Sequence, residues 1–477
     1  MEQLIWELTC DANAGGVGVD TELVETTQYF LDIANARQSC RQYQANKPVE
    51  QEKLNDLIRI YTDHETKNAI KERYYEGKIS LSEVNLGIAL PKSMRGLQIG
   101  CAWGAKAVDV LAARSMFDGF VNASGAQSDE LTELVVNNDL IAEYAKACRD
   151  ELKFGCTYAT LSADSEIGCK VRFHSPLTAS ACWDGEKGRI GYGMAVINVA
   201  KTTDGIQRPT VINLYTDEAI WVLTYANSEQ WIAEEHPHEM GRPLMEAFVW
   251  NATSAKPFGR SRIKEPVRRL IQGYVRTMAN ATIGLEFATS PQKYLLGVTD
   301  DQYDAVINDK FKQYVGSIIA ATTNPETGEK PTFGQLQQGN IAPHVEMMRM
   351  LATQFSAATG LSVTDTGVVN DANPTSSDAI LAQTQTLVGM AEQLNAGNGD
   401  SLRTVAIMAL AIMNNTTAEE LPEEMRDIMA HFKNPAMPSV AVTADAAIKI
   451  ASARQSFAQT DTFLEMIGFS QADIRRI

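Results

Sequence analysis

A β-rich segment between two helical blocks is the feature that most restricts the possible folds of this chain. From Cys156 to Trp250 the sequence is rich in Val, Ile, Thr, Tyr and Trp, and turn pairs such as Asp184-Gly185 interrupt it. Runs of β-branched and aromatic residues between such turns predict successive short antiparallel strands. We therefore expect residues 155–252 to form a β-rich domain within a mainly helical α+β protein.

Helical periodicity precedes this segment. Residues 48–78 place apolar side chains on one face and charges elsewhere, and Gly77 predicts the end of the helix. Two further helices are predicted over 101–120 and 129–153. The apolar face of the first helix consists of Leu54, Leu57, Tyr61, Ile70 and Tyr74.

Two more helices are predicted on either side of a mixed segment, residues 285–341. The second of them, residues 343–359, has Pro343 in its first turn and Gly360 just past its end, as helix termini favour. Apolar side chains recur at helical spacing in both: Val267, Leu270, Ile271, Tyr274 and Met278 in the first, and Met348, Leu351, Phe355 and Ala358 in the second.

A capping pattern marks the start of another helix. Thr375 to Asp378 has the S/T-x-x-D form and directly follows Pro374. The segment NAGNGD, residues 395–400, predicts a break, with an apolar helix resuming at Ser401. Residues 444–467 predict a last amphipathic helix.

Composition excludes several protein classes. The chain of 477 residues is 44% hydrophobic, so it is long and apolar enough to bury a large core. It contains no apolar run of 18 residues, and its first residues lack the basic region of a secretory signal. Seven scattered cysteines without a C-x-x-C pair predict reduced thiols in a cytoplasmic setting, with neither a zinc site nor a disulfide framework.

Catalytic motifs are missing from the sequence. It has no P-loop, no G-x-S-x-G elbow and no H-E-x-x-H. His236, His238 and Glu239 flank Pro237 as a weak metal-binding candidate, which an extended turn with solvent-facing imidazoles explains more simply. Helix capping likewise explains the carboxylates Asp300, Asp301 and Asp304. We therefore expect no catalytic residues, no metal and no cofactor.

One charged stretch stands out in a chain of formal charge −17. Between Lys256 and Arg276 there are seven basic residues and one acid, Glu265. They form either a solvated face, a surface that contacts a nucleic-acid backbone, or one that pairs with an acidic neighbouring subunit. Besides Lys256, the basic residues are Arg260, Arg262, Lys264, Arg268, Arg269 and Arg276.

Three motifs in order resemble those of bacteriophage portal proteins. KERYYEGK (71–78) resembles the family's YY-x-G signature, PFGRSRI (257–263) resembles the entry to its stem, and NPTSSDAI (373–380) resembles the start of the helix after its tunnel loop. Together they span roughly residues 70–390, most of the chain. Asp378 stands where the family more often has glutamate, and the short tail leaves the extent of a crown open.

The resemblance implies a ring of about twelve identical subunits around a channel. It implies a wing over residues 1–252, stem helices over 257–284 and 342–360, and a clip over 285–341. It further implies a tunnel loop over 361–374, a kinked wing helix and the following helix over 375–433, and a crown over 434–477. The implied location is a capsid vertex of the virion, after assembly in the host cytoplasm. The implied partners are double-stranded DNA, the terminase large subunit, a head–tail adaptor, and major capsid and scaffolding proteins, with no membrane.

The segment between the last two motifs contains no basic residue. If it faces a DNA channel, Asp365 and Asp371 would repel phosphates at each subunit, and weak binding would let DNA slide. An ordinary polar connection between helices is the alternative, although the loop exceeds the usual length. The expected lining residues are Thr364, Asp365, Thr366, Asn370 and Asp371.

Two other functions remain open. One is a hydrolase with a helical cap on the β domain, built around His236, His238 and Glu239. The other is a different ring-forming or capsid assembly protein.

Overall fold

The computed structural model describes most of the chain as helices and antiparallel sheets. The described residues are 50–79, 99–122, 129–201, 207–226, 230–289, 293–296, 328, 332–335, 340–367, 377–436, 440–469 and 474. Within them the mainly helical α+β prediction is confirmed. The expected carboxylate cluster Asp300, Asp301 and Asp304 lies outside these residues.

The helices fall on both sides of a long run of strands. The α-helices are α1 (Gln51–Tyr75), α2 (Trp103–Ala112), α3 (Asp129–Asn137), α4 (Leu140–Phe154), α5 (Glu265–Thr289), α6 (Ala342–Thr359), α7 (Ser377–Met413), α8 (Glu423–Arg426), α9 (Val440–Ala453) and α10 (Asp461–Met466). The strands are β1 (Phe117–Asn122), β2 (Cys156–Asp164), β3 (Gly168–His174), β4 (Ala179–Asp184), β5 (Arg189–Lys201), β6 (Gln207–Tyr215), β7 (Ala219–Ala226), β8 (Gln230–Pro237), β9 (Met245–Val249), β10 (Lys293–Leu296), β11 (Thr332–Gln335) and β12 (Ile428–Phe432).

The β-rich segment forms antiparallel strands, as predicted, and these strands divide into two sheets. Strands β4 to β8 pair in chain order in one sheet, and the order in the other is β3-β2-β9. Two further pairs, β1 with β12 and β10 with β11, lie outside this segment. The first of these joins the N-terminal block to the C-terminal one, with Phe117 opposite Phe432.

Helix α1 covers one face of the five-stranded sheet. Its predicted apolar residues Leu57 and Tyr61 are buried against Trp221 and Trp231. The hydroxyl of Tyr61 also donates to the Leu177 carbonyl at 2.7 Å, which fixes the helix on the sheet. Alternating apolar residues on the strands supply this face because successive side chains point to opposite sides.

The expected break at residues 395–400 is wrong, since α7 continues through it from Ser377 to Met413. Asn398 is fully buried there, and its amide donates to Tyr144 and Glu151 on α4. An asparagine amide bonded to another helix no longer competes for its own backbone. The tertiary contact thus overrides a sequence that favours a turn.

Three other predicted helices differ in extent. The helix expected over 101–120 ends at Ala112, before β1. The helix expected over 129–153 divides into α3 and α4 at Asp139, whose φ is 49°. The single helix expected over 444–467 is α9, a 3₁₀ turn and α10.

Cysteines 101, 148, 156, 169 and 182 are free thiols. None of the helices in the described residues is long and apolar enough to cross a membrane.

Candidate functional site

Helices α5 and α6 pack closely on one another at Gly273. A Cβ added at Gly273 of α5 would lie 3.3 Å from the Leu351 side chain of α6, so glycine sets the close approach. Val267, Ile271 and Val275 are buried on α5, and Leu351 and Phe355 on α6, whereas Ala358 of the predicted α6 stripe is exposed. The predicted ends of α6 are confirmed, with Pro343 in the first turn and Gly360 at φ 71°.

The chain leaves α6 through a short capped turn. Residues 363–366 form a 3₁₀ helix with Ser362 and Asp365 in a capping box. The Ser362 amide donates to Oδ2 of Asp365 at 3.1 Å, and the Ser362 hydroxyl donates to the same oxygen at 2.8 Å. The start of the expected tunnel loop is therefore an ordered structure rather than an open coil.

The expected lining residues differ in exposure. Thr364 is exposed, and Asp365 is half-buried. Thr366 departs from the expectation, because its side chain is buried within the chain and its hydroxyl donates to the Val363 carbonyl at 2.6 Å. Asn370 and Asp371 lie outside the described residues.

Most of the basic segment lies at the surface. Arg260, Lys264 and Arg276 are exposed, as is Arg269, whose guanidinium lies 3.2 Å from a Glu265 carboxylate oxygen. Arg268 is half-buried, and its Nη1 lies 3.5 Å from the Ile263 carbonyl oxygen.

Arg262 is the exception in this segment, because its side chain is buried at 7% exposure. Its Nη2 donates to the Thr359 carbonyl at 2.6 Å, and its Nε donates to the Ala107 carbonyl. Burial lowers the pKa of Arg262 to about 10, which leaves the guanidinium charged at neutral pH. The expectation that Arg262 reaches DNA or another subunit does not fit this placement.

The histidine cluster lies beside a cavity of about 780 Å³. Its lining combines residues of the five-stranded sheet, such as Val222, with Ala411 and Ile412 of α7 and with residues after α7, including Glu420. His236 is exposed, but His238 is half-buried and burial lowers its pKa, so only one of the two imidazoles faces solvent as expected. The described residues contain no cluster of His, Cys, Asp and Glu suited to a metal ion.

Two features of the site region were not found from the sequence. Trp103 donates its indole N–H to the Thr366 carbonyl at 3.1 Å, which ties α2 to the start of the loop. Glu151 is fully buried beside Asn398, and burial raises its pKa to about 8. The partners lie 263 and 247 residues apart, so local patterns carry no signal for either contact.

Comparison with known proteins extends over nearly the whole chain. A family model described as phage portal protein, SPP1 Gp6-like, matches residues 48–472. The portal protein of Mycobacterium phage D29 is 24% identical over 437 residues, covering 88% of this chain and 86% of that protein. The portal protein of Mycobacterium phage L5 is 24% identical over 414 residues, covering 83% of this chain and 81% of that protein.

Solved structures are similar at lower sequence identity. A chain from the neck of an empty GTA particle, computed with C6 symmetry, has a TM-score of 0.45 and 12% identity, with 79% of this chain and 89% of that one covered. A chain from the neck of a native GTA particle, computed with C12 symmetry, has a TM-score of 0.44 and 12% identity, with 82% and 98% covered.

Proposed function

The chain belongs to the phage portal protein family, SPP1 Gp6-like, and we propose that it forms a ring-shaped channel at one capsid vertex, through which viral DNA is packaged and later ejected. The observation that carries the proposal is the family match over residues 48–472, which includes all three motifs that suggested the resemblance. A structural protein of this kind needs no catalytic residue of its own.

We assign the parts of the chain to this ring as follows. Residues 1–252 are the wing, α5 and α6 form the stem, and the segment between them is the clip. The loop after α6 faces the channel, α7 supports it from behind, and residues 434–477 are the crown. The assignment of α5 and α6 to one stem is supported by their close packing at Gly273.

The partners follow from the same assignment. The terminase large subunit docks at the clip during packaging and supplies the energy, and a head–tail adaptor replaces it afterwards. Major capsid and scaffolding proteins surround the ring at the vertex. Assembly takes place in the host cytoplasm, and the finished ring is part of the virion.

The loop after α6 supports a low-affinity channel wall. Residues 361–374 contain two acids and no base, and Thr364 and Asp365 reach the surface of the subunit. Each Lys or Arg contact to a phosphate adds binding free energy that must be lost again for DNA to advance. A wall without cations therefore lets the polyanion slide in both directions.

Exposed basic residues in and just before α5 carry the positive charge that the loop lacks. Their side chains are exposed, so they can contact DNA sparsely or pair with an acidic surface of the next subunit. These residues are Arg260, Lys264, Arg269 and Arg276. These two roles respond differently to substitution. Changing Arg276 to Gln affects packaging in intact rings if it contacts DNA, and ring assembly if it contacts the neighbour.

Charge reversal in the loop tests the channel assignment. We expect Asp365→Lys with Asp371→Lys to slow or stall DNA packaging in a defined system of proheads and terminase, because each subunit then adds cations to the wall. The matched control is Asp365→Asn with Asp371→Asn, which keeps side chains able to accept a cap hydrogen bond and adds no positive charge.

Ring formation by both variants is checked by native mass spectrometry. Packaging at the unmodified rate by rings of the lysine variant would contradict the assignment of this loop to the channel wall.

A further inference from the structure

Both ends of the connection between α6 and the loop are bound by side chains from distant parts of the chain. At its start, Nη2 of Arg262 donates to the Thr359 carbonyl at 2.6 Å. At its end, Nε1 of Trp103 donates to the Thr366 carbonyl at 3.1 Å. Neither carbonyl belongs to a strand ladder, so these donors satisfy groups that would otherwise be buried without a partner.

Trp103 also contacts α5 and α6, and so links them to this connection. Its ring centroid lies 4.4 Å from that of Tyr274 on α5 and 4.8 Å from that of Phe355 on α6. Trp103 itself is 4% exposed. One side chain therefore contacts α5, α6 and the loop, and a shift of either helix acts directly on the indole.

The indole cannot easily move away from the loop, because α2 packs directly against the end of α1. A Cβ added at Gly104 would lie 1.9 Å from the Tyr74 carbonyl oxygen at the end of α1. Backbone packed this closely leaves the first turn of α2 no room to shift. The position of Trp103 is thus fixed by the backbone of α1.

Arg262 fixes the other end through a charged group. The Thr359 carbonyl belongs to the last turn of α6, where the helix dipole is negative and favours a cation. The same guanidinium donates to Ala107 of α2 and lies 3.6 Å from the sulfur of Met390 on α7. Its fork of donors accordingly bridges α2, α6 and α7.

We propose that Trp103 and Arg262 are positioning residues that hold residues 359–366 in one rigid body with α2, α5 and α6. They thereby fix the position of the loop relative to α5 and α6. That the position of the loop affects DNA passage rests on the proposed function. The rigidity of residues 359–366 does not depend on the proposed function, and it is tested without DNA.

The first test is amide hydrogen exchange in assembled Trp103→Phe protein. Phenylalanine keeps an aromatic ring against Tyr274 and Phe355 but lacks the N–H. We expect exchange of the Asp365 and Gly367 amides, which are bonded within the turn, to rise about tenfold, the equivalent of one hydrogen bond. Amides of the distant β6–β7 pair, such as that of Leu223, keep their rates.

A second variant keeps the proposal open to refutation if the first does not fold. Arg262→Lys retains the charge and loses the fork, and we expect it to raise exchange of the Gly360 amide, whose bond to Ser356 closes α6. Arg59→Lys, at an exposed position outside the basic segment, is the matched control and leaves that amide unchanged.

Each outcome decides the question. Unchanged exchange at Gly360, Asp365 and Gly367 overturns the proposal, and so does an equal rise throughout the β-sheet, which indicates general loss of stability. A rise confined to residues 360–367 supports it. If that local rise leaves DNA packaging at its normal rate, positioning stands and the channel role of the loop falls.

Discussion

Asn398 of α7 donates its amide to Oε2 of Glu151 on α4 at 2.7 Å, and to the hydroxyl of Tyr144 at 2.9 Å. Both Glu151 and Asn398 are 0% exposed. The other oxygen of Glu151 has no hydrogen-bond partner among the described residues. Burial with a single hydrogen-bond donor favours the protonated form of this carboxyl.

Replacing Glu151 by Gln should change how stability depends on pH. Burial raises the pKa of Glu151 from 4.5 to about 8, so the folded state keeps a proton that the unfolded state releases between those values. Stability of the unmodified protein therefore falls as pH rises from about 4.5 to 8, and the loss persists above that. Glu151→Gln removes this loss, on the order of 5 kcal/mol at most.

Urea unfolding at several pH values measures the effect. The matched control, Glu265→Gln at an exposed position, should follow the unmodified profile. If the Glu151→Gln curve runs parallel to that profile, the carboxyl is not protonated in the fold.

Replacing Gly104 by Ala should prevent normal packing of α1 on α2. The new Cβ would lie 1.9 Å from the Tyr74 carbonyl oxygen, and backbone at this site has no flexible end that can move away. We expect a loss of about 3 kcal/mol or more, seen as a lower thermal midpoint or failure to accumulate. Gly389→Ala on α7 has open space and should be neutral or up to about 1 kcal/mol stabilising. Equal midpoints for the two variants would contradict this packing.

Replacing Lys153 by Met should destabilise the junction of α1 and α4. Its ammonium is 2.8 Å from Glu72 and 3.2 Å from Asp150, and its side chain is 9% exposed. Removing it leaves two partly buried acids together, which costs about 2 kcal/mol after allowance for solvent at Glu72. Lys449→Met, in an exposed pair with Asp445, should change stability by less than about 0.5 kcal/mol. Chemical denaturation of both variants gives the comparison, and similar losses would refute a special role for Lys153.

Replacing His236 and His238 together by Ala should leave DNA packaging unchanged. A portal channel requires no general base, and the described residues show no metal cluster around these imidazoles. Packaging assays with the double variant test this directly. Should the purified protein hydrolyse a substrate and the double variant fail to do so, the hydrolase alternative beside the cavity would be favoured instead.

The sequence predicted the parts of the fold that local chemistry determines. Strand-forming residues between turn pairs located the β-rich segment, and the glycines at 77 and 360 located helix ends, where both have positive φ. The resemblance based on three short motifs is confirmed by the family match.

Long-range contacts account for the differences. Asn398 and its glycine neighbours favour a turn locally, but a partner 247 residues away keeps the helix intact. Arg262 belongs to a basic run like its exposed neighbours, and only the positions of Thr359 and Ala107 show that it is buried. Thr366 has the sequence character of a polar loop residue, yet the indole of Trp103 donates to its buried backbone carbonyl.

Many copies of this chain surround a pore in the proposed assembly, and negative-stain electron microscopy of the purified protein shows whether such a pore exists. We expect rings with a central hole, and native mass spectrometry of the same sample should give the mass of about twelve subunits. Particles without a hole, together with the mass of a single chain of 52.2 kDa, would show that the protein does not form a ring.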